Sequence, residues 1–276
     1  MEFDLRTCDA AYYFVLQFMG MTPDEFITEY TLNCDNDFEV FWDNYEDRIA
    51  SVDISDLRIM AFHIVGSLDN CREIKEKGLM NLQEVLTRDT ILKKLLDKSG
   101  IVFDISERIV SCNGQTYDID YDHYRHKHFL HGIDEKLDHV AHRVFYDYCV
   151  NGFLLNDNVL NYGTGIHERP EFLMTLGELF PQAQRVEAYW KSKAQSYRID
   201  FYATVEQVHR FNFALDEYRD PPYEGWTELN DEMKLKKWML SHAIDRANDG
   251  LNEQFLYIKD ECIIPPNQIV SISELL

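Results

Sequence analysis

Apolar and polar positions alternate with two different periods along this chain. Residues 9–19 carry apolar and aromatic side chains at helical spacing, and Thr22-Pro23-Asp24-Glu25 reads as a helix start: Thr as cap, Pro in the first turn, acids at the positive end. Residues 58–65 form an apolar run of strand length. A helix is predicted from Asp69 to Lys77, capped by Ser67 or Asp69 and ended by Gly78. Asn81-Leu82-Gln83-Glu84 has capping-box spacing, and Leu92, Leu95 and Leu96 extend its apolar stripe as far as Gly100. The period then drops to two. Strands are predicted at 101–103, 108–112 and 115–119. Asn113-Gly114 joins the last two, a dipeptide that favours positive φ at both positions of a type I′ hairpin. Helices are expected over 135–152, ending at Gly152, and over 234–248, and strands over 197–205, 254–258 and 269–272. This irregular order predicts an α+β fold, with an N-terminal helical segment at 1–55 packed on a domain spanning 56–276.

The chain has 276 residues, enough for one large core without a disulfide or metal staple. Its net charge of −22 excludes a broad basic face for nucleic acid, though a local contact stays open. The acidic, aromatic stretch 33–53 reads as a solvated helix face. Six scattered cysteines without a CxxC pair read as reduced, mostly buried thiols. No apolar run reaches the ~20 residues of a membrane span, and the first residues lack a basic leader, so a cytoplasmic protein is expected. Walker, GxSxG and Rossmann signatures are absent.

Two segments carry the chemistry. In the first, His63 lies near the end of a strand, followed by Gly66, Ser67 and a helix ending Lys77-Gly78-Leu79. A histidine there can hydrogen-bond a ribose, and Gly66 permits close backbone approach. In the second, Glu253 opens the strand Glu253-Gln254-Phe255-Leu256-Tyr257, with Ile263-Ile264-Pro265-Pro266-Asn267-Gln268-Ile269 after it. A carboxylate so placed can stabilise an oxocarbenium-like centre. Taken singly, His63 also reads as a core histidine and Glu253 as an exposed edge charge.

Together the two segments resemble the ADP-ribosyltransferase fold family, in its DarT-like and poly(ADP-ribose) polymerase-like forms, over residues 58–276. The resemblance implies a split mixed β-sheet core and NAD as co-substrate. His63 would bind the ribose next to nicotinamide. Glu253 would bond that ribose's 2′-hydroxyl and stabilise the cation as nicotinamide leaves. A middle loop, Asn161-Tyr162-Gly163-Thr164-Gly165-Ile166-His167-Glu168-Arg169, would line the cleft, with Tyr162 stacking on nicotinamide and Arg169 contacting phosphate or acceptor. The same loop also reads as an ordinary surface turn. The chain departs from the family twice. Val65 stands where relatives carry the Thr of His-x-Thr, leaving Ser67 to supply a hydroxyl. Leu251 stands two before Glu253, where arginine-modifying members carry Glu or Gln, which points away from arginine as acceptor.

The resemblance also implies a bacterial toxin or phage-defence effector, a protein or nucleic-acid acceptor, and an inhibitory antitoxin-like partner. Three other readings stand beside it. One is a catalytically inactive acidic module binding a basic partner. Another is an RNA 2′-phosphotransferase-like enzyme on the same fold, whose basic phosphate set cannot be assembled here. The third is a histidine-metal hydrolase using the cluster His123, His126, His128, His131, His139 and His142, which lacks an HExxH or Cys pair. Solvated, that cluster with Arg125, Lys127 and Arg143 is a local basic patch that can meet an anionic acceptor.

Overall fold

The computed structural model describes residues 1–209, 228–250 and 253–275. The Pro221-Pro222 pair and Leu251 lie outside the described residues. In chain order the elements are β1 (Glu2–Phe3), α1 (Cys8–Met19), α2 (Pro23–Phe26), a π-helical stretch (Ile27–Asn33), α3 (Phe38–Ala50), β2 (Arg58–Ser67), α4 (Arg72–Lys77), α5 (Leu82–Thr87) and α6 (Ile91–Lys98). Then come β3 (Ile101–Asp104), β4 (Ile109–Cys112), β5 (Gln115–Asp118), α7 (Tyr121–Tyr124), α8 (Ile133–Phe145), β6 (Asn151–Asn156), α9 (Phe172–Leu179) and α10 (Pro181–Lys193). The last are β7 (Gln195–Thr204), α11 (Asp231–Ala247), β8 (Glu253–Tyr257) and β9 (Ile269–Glu274). The fold is α+β. One sheet has the order β8-β6-β2-β7-β9 with β1 beside β2, and a second has the order β3-β4-β5. None of the helices among the described residues is long and apolar enough to cross a membrane.

The chain divides into two compact units. The first comprises residues 1–62, 151–157 and 202–258. The second comprises 63–150, 158–201 and 259–276. The boundary expected at residue 55 is therefore not where the compact units divide. Residues 1–55 share a core with distant segments because their aromatic side chains need partners. Phe3 packs edge-on against Phe14 at 5.1 Å and Trp238 of α11 at 5.9 Å. β1, unforeseen in the sequence, pairs parallel with β2 through Phe3 and Ile59. Two residues carry no period of their own, so only the partner strand defines them.

Local signals set most element ends in the first unit. Thr7 caps α1 by accepting from the Ala10 N–H, and Gly20 ends it at φ 57°. Thr22 and Glu25 complete a capping box. α3 keeps its acids in solvent but buries Phe41, Trp42 and Ile49, so the acidic stretch is amphipathic.

In the second unit, Asn113 and Gly114 both take positive φ in the β4–β5 hairpin. Leu92 and Leu96 of α6 join Ile101, Val110, Val140, Leu173 and Leu176 in one apolar core. The helix expected over 135–152 stops at Phe145, and Gly152 sits inside β6. The run Gly152-Phe153-Leu154-Leu155 is buried throughout, which suits a strand covered on both faces. α4 begins at Arg72, three residues later than expected, because the preceding turn is built from side-chain bonds.

Candidate active site

β2 ends in that turn. The Ser67 hydroxyl accepts from the Cys71 N–H at 2.8 Å and the Asp69 N–H at 3.3 Å, and donates to Asp69 Oδ1 at 3.0 Å. Asp69 Oδ2 accepts from the Glu73 N–H at 2.9 Å. These bonds hold Asn70 and Cys71 at φ 57° and 58°, left-handed backbone that is uncommon for a cysteine. The Tyr197 hydroxyl donates to Asn70 Oδ1 at 3.2 Å. Ser67 thus spends its hydroxyl on the turn. Burial pushes the Cys71 thiol up. None of the six cysteines forms a disulfide, and Cys34, Cys71 and Cys112 are buried.

His63 is half-buried in the same strand. Strand alternation sets His63, Val65 and Ser67 on one face of β2 and Ile64 and Gly66 on the other. Against the Gly66 face lies the middle loop. A Cβ on Gly66 would stand 2.5 Å from the Glu168 carbonyl carbon and oxygen, so only glycine fits. The Trp190 indole donates to the Gly66 carbonyl at 2.7 Å from the neighbouring α10.

The loop is held by Arg169. Its guanidinium is buried. Nη1 donates to the Thr164 carbonyl at 2.7 Å and the Gly165 carbonyl at 3.2 Å, and Nε donates to Glu187 at 2.8 Å. Arg169 therefore shapes the loop. Gly163 and Gly165 take φ 54° and 77°, which lets the chain reverse beneath it. Tyr162 is half-buried at the loop's start. One residue not singled out from sequence emerges. His167 Nδ1 is shielded from solvent with no hydrogen-bond partner, and buried polar atoms are seldom left so. It stands two residues after Gly165, and nothing in the sequence marks it out.

Glu253 lies in the first unit. It opens β8 as an exposed carboxylate opposite Asn156, whose side-chain amide donates to Glu253 Oε1 at 2.6 Å. The rings of Phe62, Phe153 and Phe255 form a row beneath, 5.4 Å between successive centroids. Alternation sets Glu253 on the Phe255 face of β8. His63, Gly66, Ser67, Tyr162 and Arg169 belong to the second unit.

The histidine cluster does not converge. Among the described residues no group of three or more His, Cys, Asp or Glu side chains could hold a metal ion. His123 instead pairs with Asp118 at 2.6 Å, and this bond raises its pKa. His142 packs 4.9 Å from Tyr146, and burial lowers its pKa.

No family model, curated protein or solved structure matches this chain.

Proposed function

We propose that this chain is an NAD-dependent ADP-ribosyltransferase, passing ADP-ribose to a protein or nucleic-acid acceptor, in the setting of a toxin or defence effector. The observation that carries the reading lies in the first unit. Glu253 opens β8 as an exposed carboxylate, and the side-chain amide of Asn156 on the neighbouring β6 donates to its Oε1 at 2.6 Å. Two features of the second unit support it. The turn after His63 is held in left-handed backbone by Ser67, and such outliers cluster at functional sites. The glycine-punctuated loop presents His167 Nδ1, a buried polar atom that a polar ligand can satisfy.

In this reading the bond between nicotinamide and ribose C1′ breaks. Nicotinamide leaves with the electron pair, and C1′ becomes an oxocarbenium centre. Glu253, negatively charged and oriented by Asn156, stabilises that charge and bonds the 2′-hydroxyl. The acceptor atom then bonds C1′ and releases a proton. The resemblance assigns the ribose to His63 and the nicotinamide ring to Tyr162, and alternation sets His63 on the face of β2 away from the loop. Ser67 and Arg169 act by shaping turn and loop, and Gly66 by admitting the loop backbone.

Calorimetric titration with NAD tests the reading. Saturable binding is expected, weakened about tenfold or more in His63→Ala, which loses a hydrogen bond to a desolvated ribose. Absence of binding by folded wild-type protein, or equal binding by the variant, would overturn it.

A further inference from the structure

A cavity of about 460 Å³ lies in the second unit, where the β3–β4 turn, α7 and the end of α8 converge. Beside Gln83, Ile105, Ser106 and Asp122, its walls carry the aromatic rings of Tyr121, Phe145, Tyr146 and Tyr148 and the guanidinium groups of Arg108 and Arg125. None of these residues belongs to the segments that carry the NAD reading, and the inference stands independently of it.

The rings are already organised as a platform. Tyr146 lies 4.9 Å from His142 and 5.5 Å from Tyr121, both at tilted angles. Yet Tyr146 remains 64% exposed, so much of a large aromatic side chain faces water. An exposed ring braced by neighbours loses little freedom when a second ring stacks on it.

The arginines are held in place but not saturated. Arg108 sits over the Phe145 ring at 5.6 Å and uses Nη1 alone, towards Asp120 at 2.6 Å and Asp122 at 3.3 Å. Arg125 uses Nε alone, towards His126 at 3.0 Å and Asp122 at 3.2 Å. Among the described residues, Nε and Nη2 of Arg108 and both Nη atoms of Arg125 make no hydrogen bond. A guanidinium fixed at one nitrogen, with an unused donor edge, is suited to bidentate capture of a phosphate. Asp120 and Asp122 offset the local positive charge, so an isolated anion gains little here. A ligand must also offer a ring.

The geometry points to a binding site for a nucleoside monophosphate group, its base stacked on Tyr146 and its phosphate on the free edges of Arg108 and Arg125. The group could be a free nucleotide or the 5′-phosphorylated end of a strand, since both present the same base and phosphate. The −22 net charge disfavours a long nucleic-acid track and fits a contact limited to one such unit.

Titration of the full chain with AMP, adenosine and inorganic phosphate tests the assignment. AMP should bind saturably, and adenosine and phosphate each more weakly. Tyr146→Ala and Arg125→Ala should each lower AMP affinity about tenfold, the scale of one stacking or charge-assisted contact. Both residues are exposed, so neither substitution threatens the fold. His63→Ala should leave tight-phase AMP binding intact, which separates this site from the one proposed for NAD. A 5′-phosphorylated dinucleotide that binds more tightly than AMP would assign the site to strand ends, and equal binding to free nucleotides. The assignment is overturned by no AMP binding, by phosphate binding as well as AMP, or by variants that bind AMP like the wild type.

Discussion

Both units bury basic side chains, and they use them differently. Among the described residues of the first unit, the buried basic side chains lie on one helix, α11. Lys236 is fully buried, and its Nζ donates to the Ala50 carbonyl at 2.9 Å and pairs with Glu232 at 2.8 Å. Lys237 reaches Glu39 at 2.6 Å and lies over the Trp42 ring at 5.0 Å. Arg246 donates to the Leu5 carbonyl at 3.1 Å. These contacts fasten α11 to α3 and to the backbone just before α1. In the second unit Arg169 is equally buried, but the carbonyls it binds belong to the glycine loop beside β2. One set assembles a core and the other fixes the shape of a loop. A buried cation is thus structural wherever backbone carbonyls receive it, and its importance for function depends on what those carbonyls belong to.

The comparison sharpens first at Arg169. Arg169→Ala takes from Glu187 its buried partner, leaving Lys191 at 3.5 Å, and strips the Thr164 carbonyl of its guanidinium donor, while the Gly165 carbonyl keeps the Glu168 N–H at 3.0 Å; it should cost about 3 kcal/mol by denaturant unfolding. Arg169→Lys should recover only part of this, because lysine lacks the fork that spans Glu187 and the loop. Lys236→Ala should cost about 2–4 kcal/mol, from the lost stem and the orphaned Ala50 carbonyl. Lys236→Met keeps the stem and should cost about 1–2 kcal/mol. If Lys236→Ala were neutral, α11 would not be fastened as described.

His242 of α11 gives a pH test. Its ring stacks on Trp238 at 3.9 Å, and Nδ1 donates to the Trp238 carbonyl at 2.9 Å. Burial drives its pKa down from 6.5 to about 4. The folded pKa lies below the unfolded one, so the unfolded chain takes up the proton first as pH falls. Stability is full above 6.5 and is lost between there and about pH 4, by about 3 kcal/mol. His242→Phe should flatten this part of the stability–pH curve, read from melting temperatures across the range. A curve unchanged by the substitution would refute the assignment.

The same contrast explains what could be read in advance. α6 and the β4–β5 hairpin were legible because their signals are local: leucines at helical spacing, and Asn-Gly between alternating strands. α11 was legible as a helix, but its buried lysines were not, since the Ala50 and Glu39 groups that satisfy them are remote in sequence. β6 was hidden because Gly152 looked like a helix stop. At the candidate site, Gly66 was legible as a point of close approach, which the Glu168 backbone makes. Arg169 looked like a cation open to ligand because Glu187 comes 18 residues later. His167 could not be chosen from sequence, because an unpartnered ring nitrogen exists only once the chain is folded.

In the proposed reaction Glu253 stabilises the cation formed when nicotinamide leaves NAD. The most direct measurement is nicotinamide release from NAD by purified wild-type protein and by Glu253→Gln, with and without cell lysate as acceptor source. Glu253 is exposed, so the variant should keep its stability within about 0.5 kcal/mol. Release by the wild type is expected, with a loss of at least about a hundredfold in the folded variant, the scale of one transition-state charge contact. No release by folded wild-type protein, or equal release by both proteins, would contradict it.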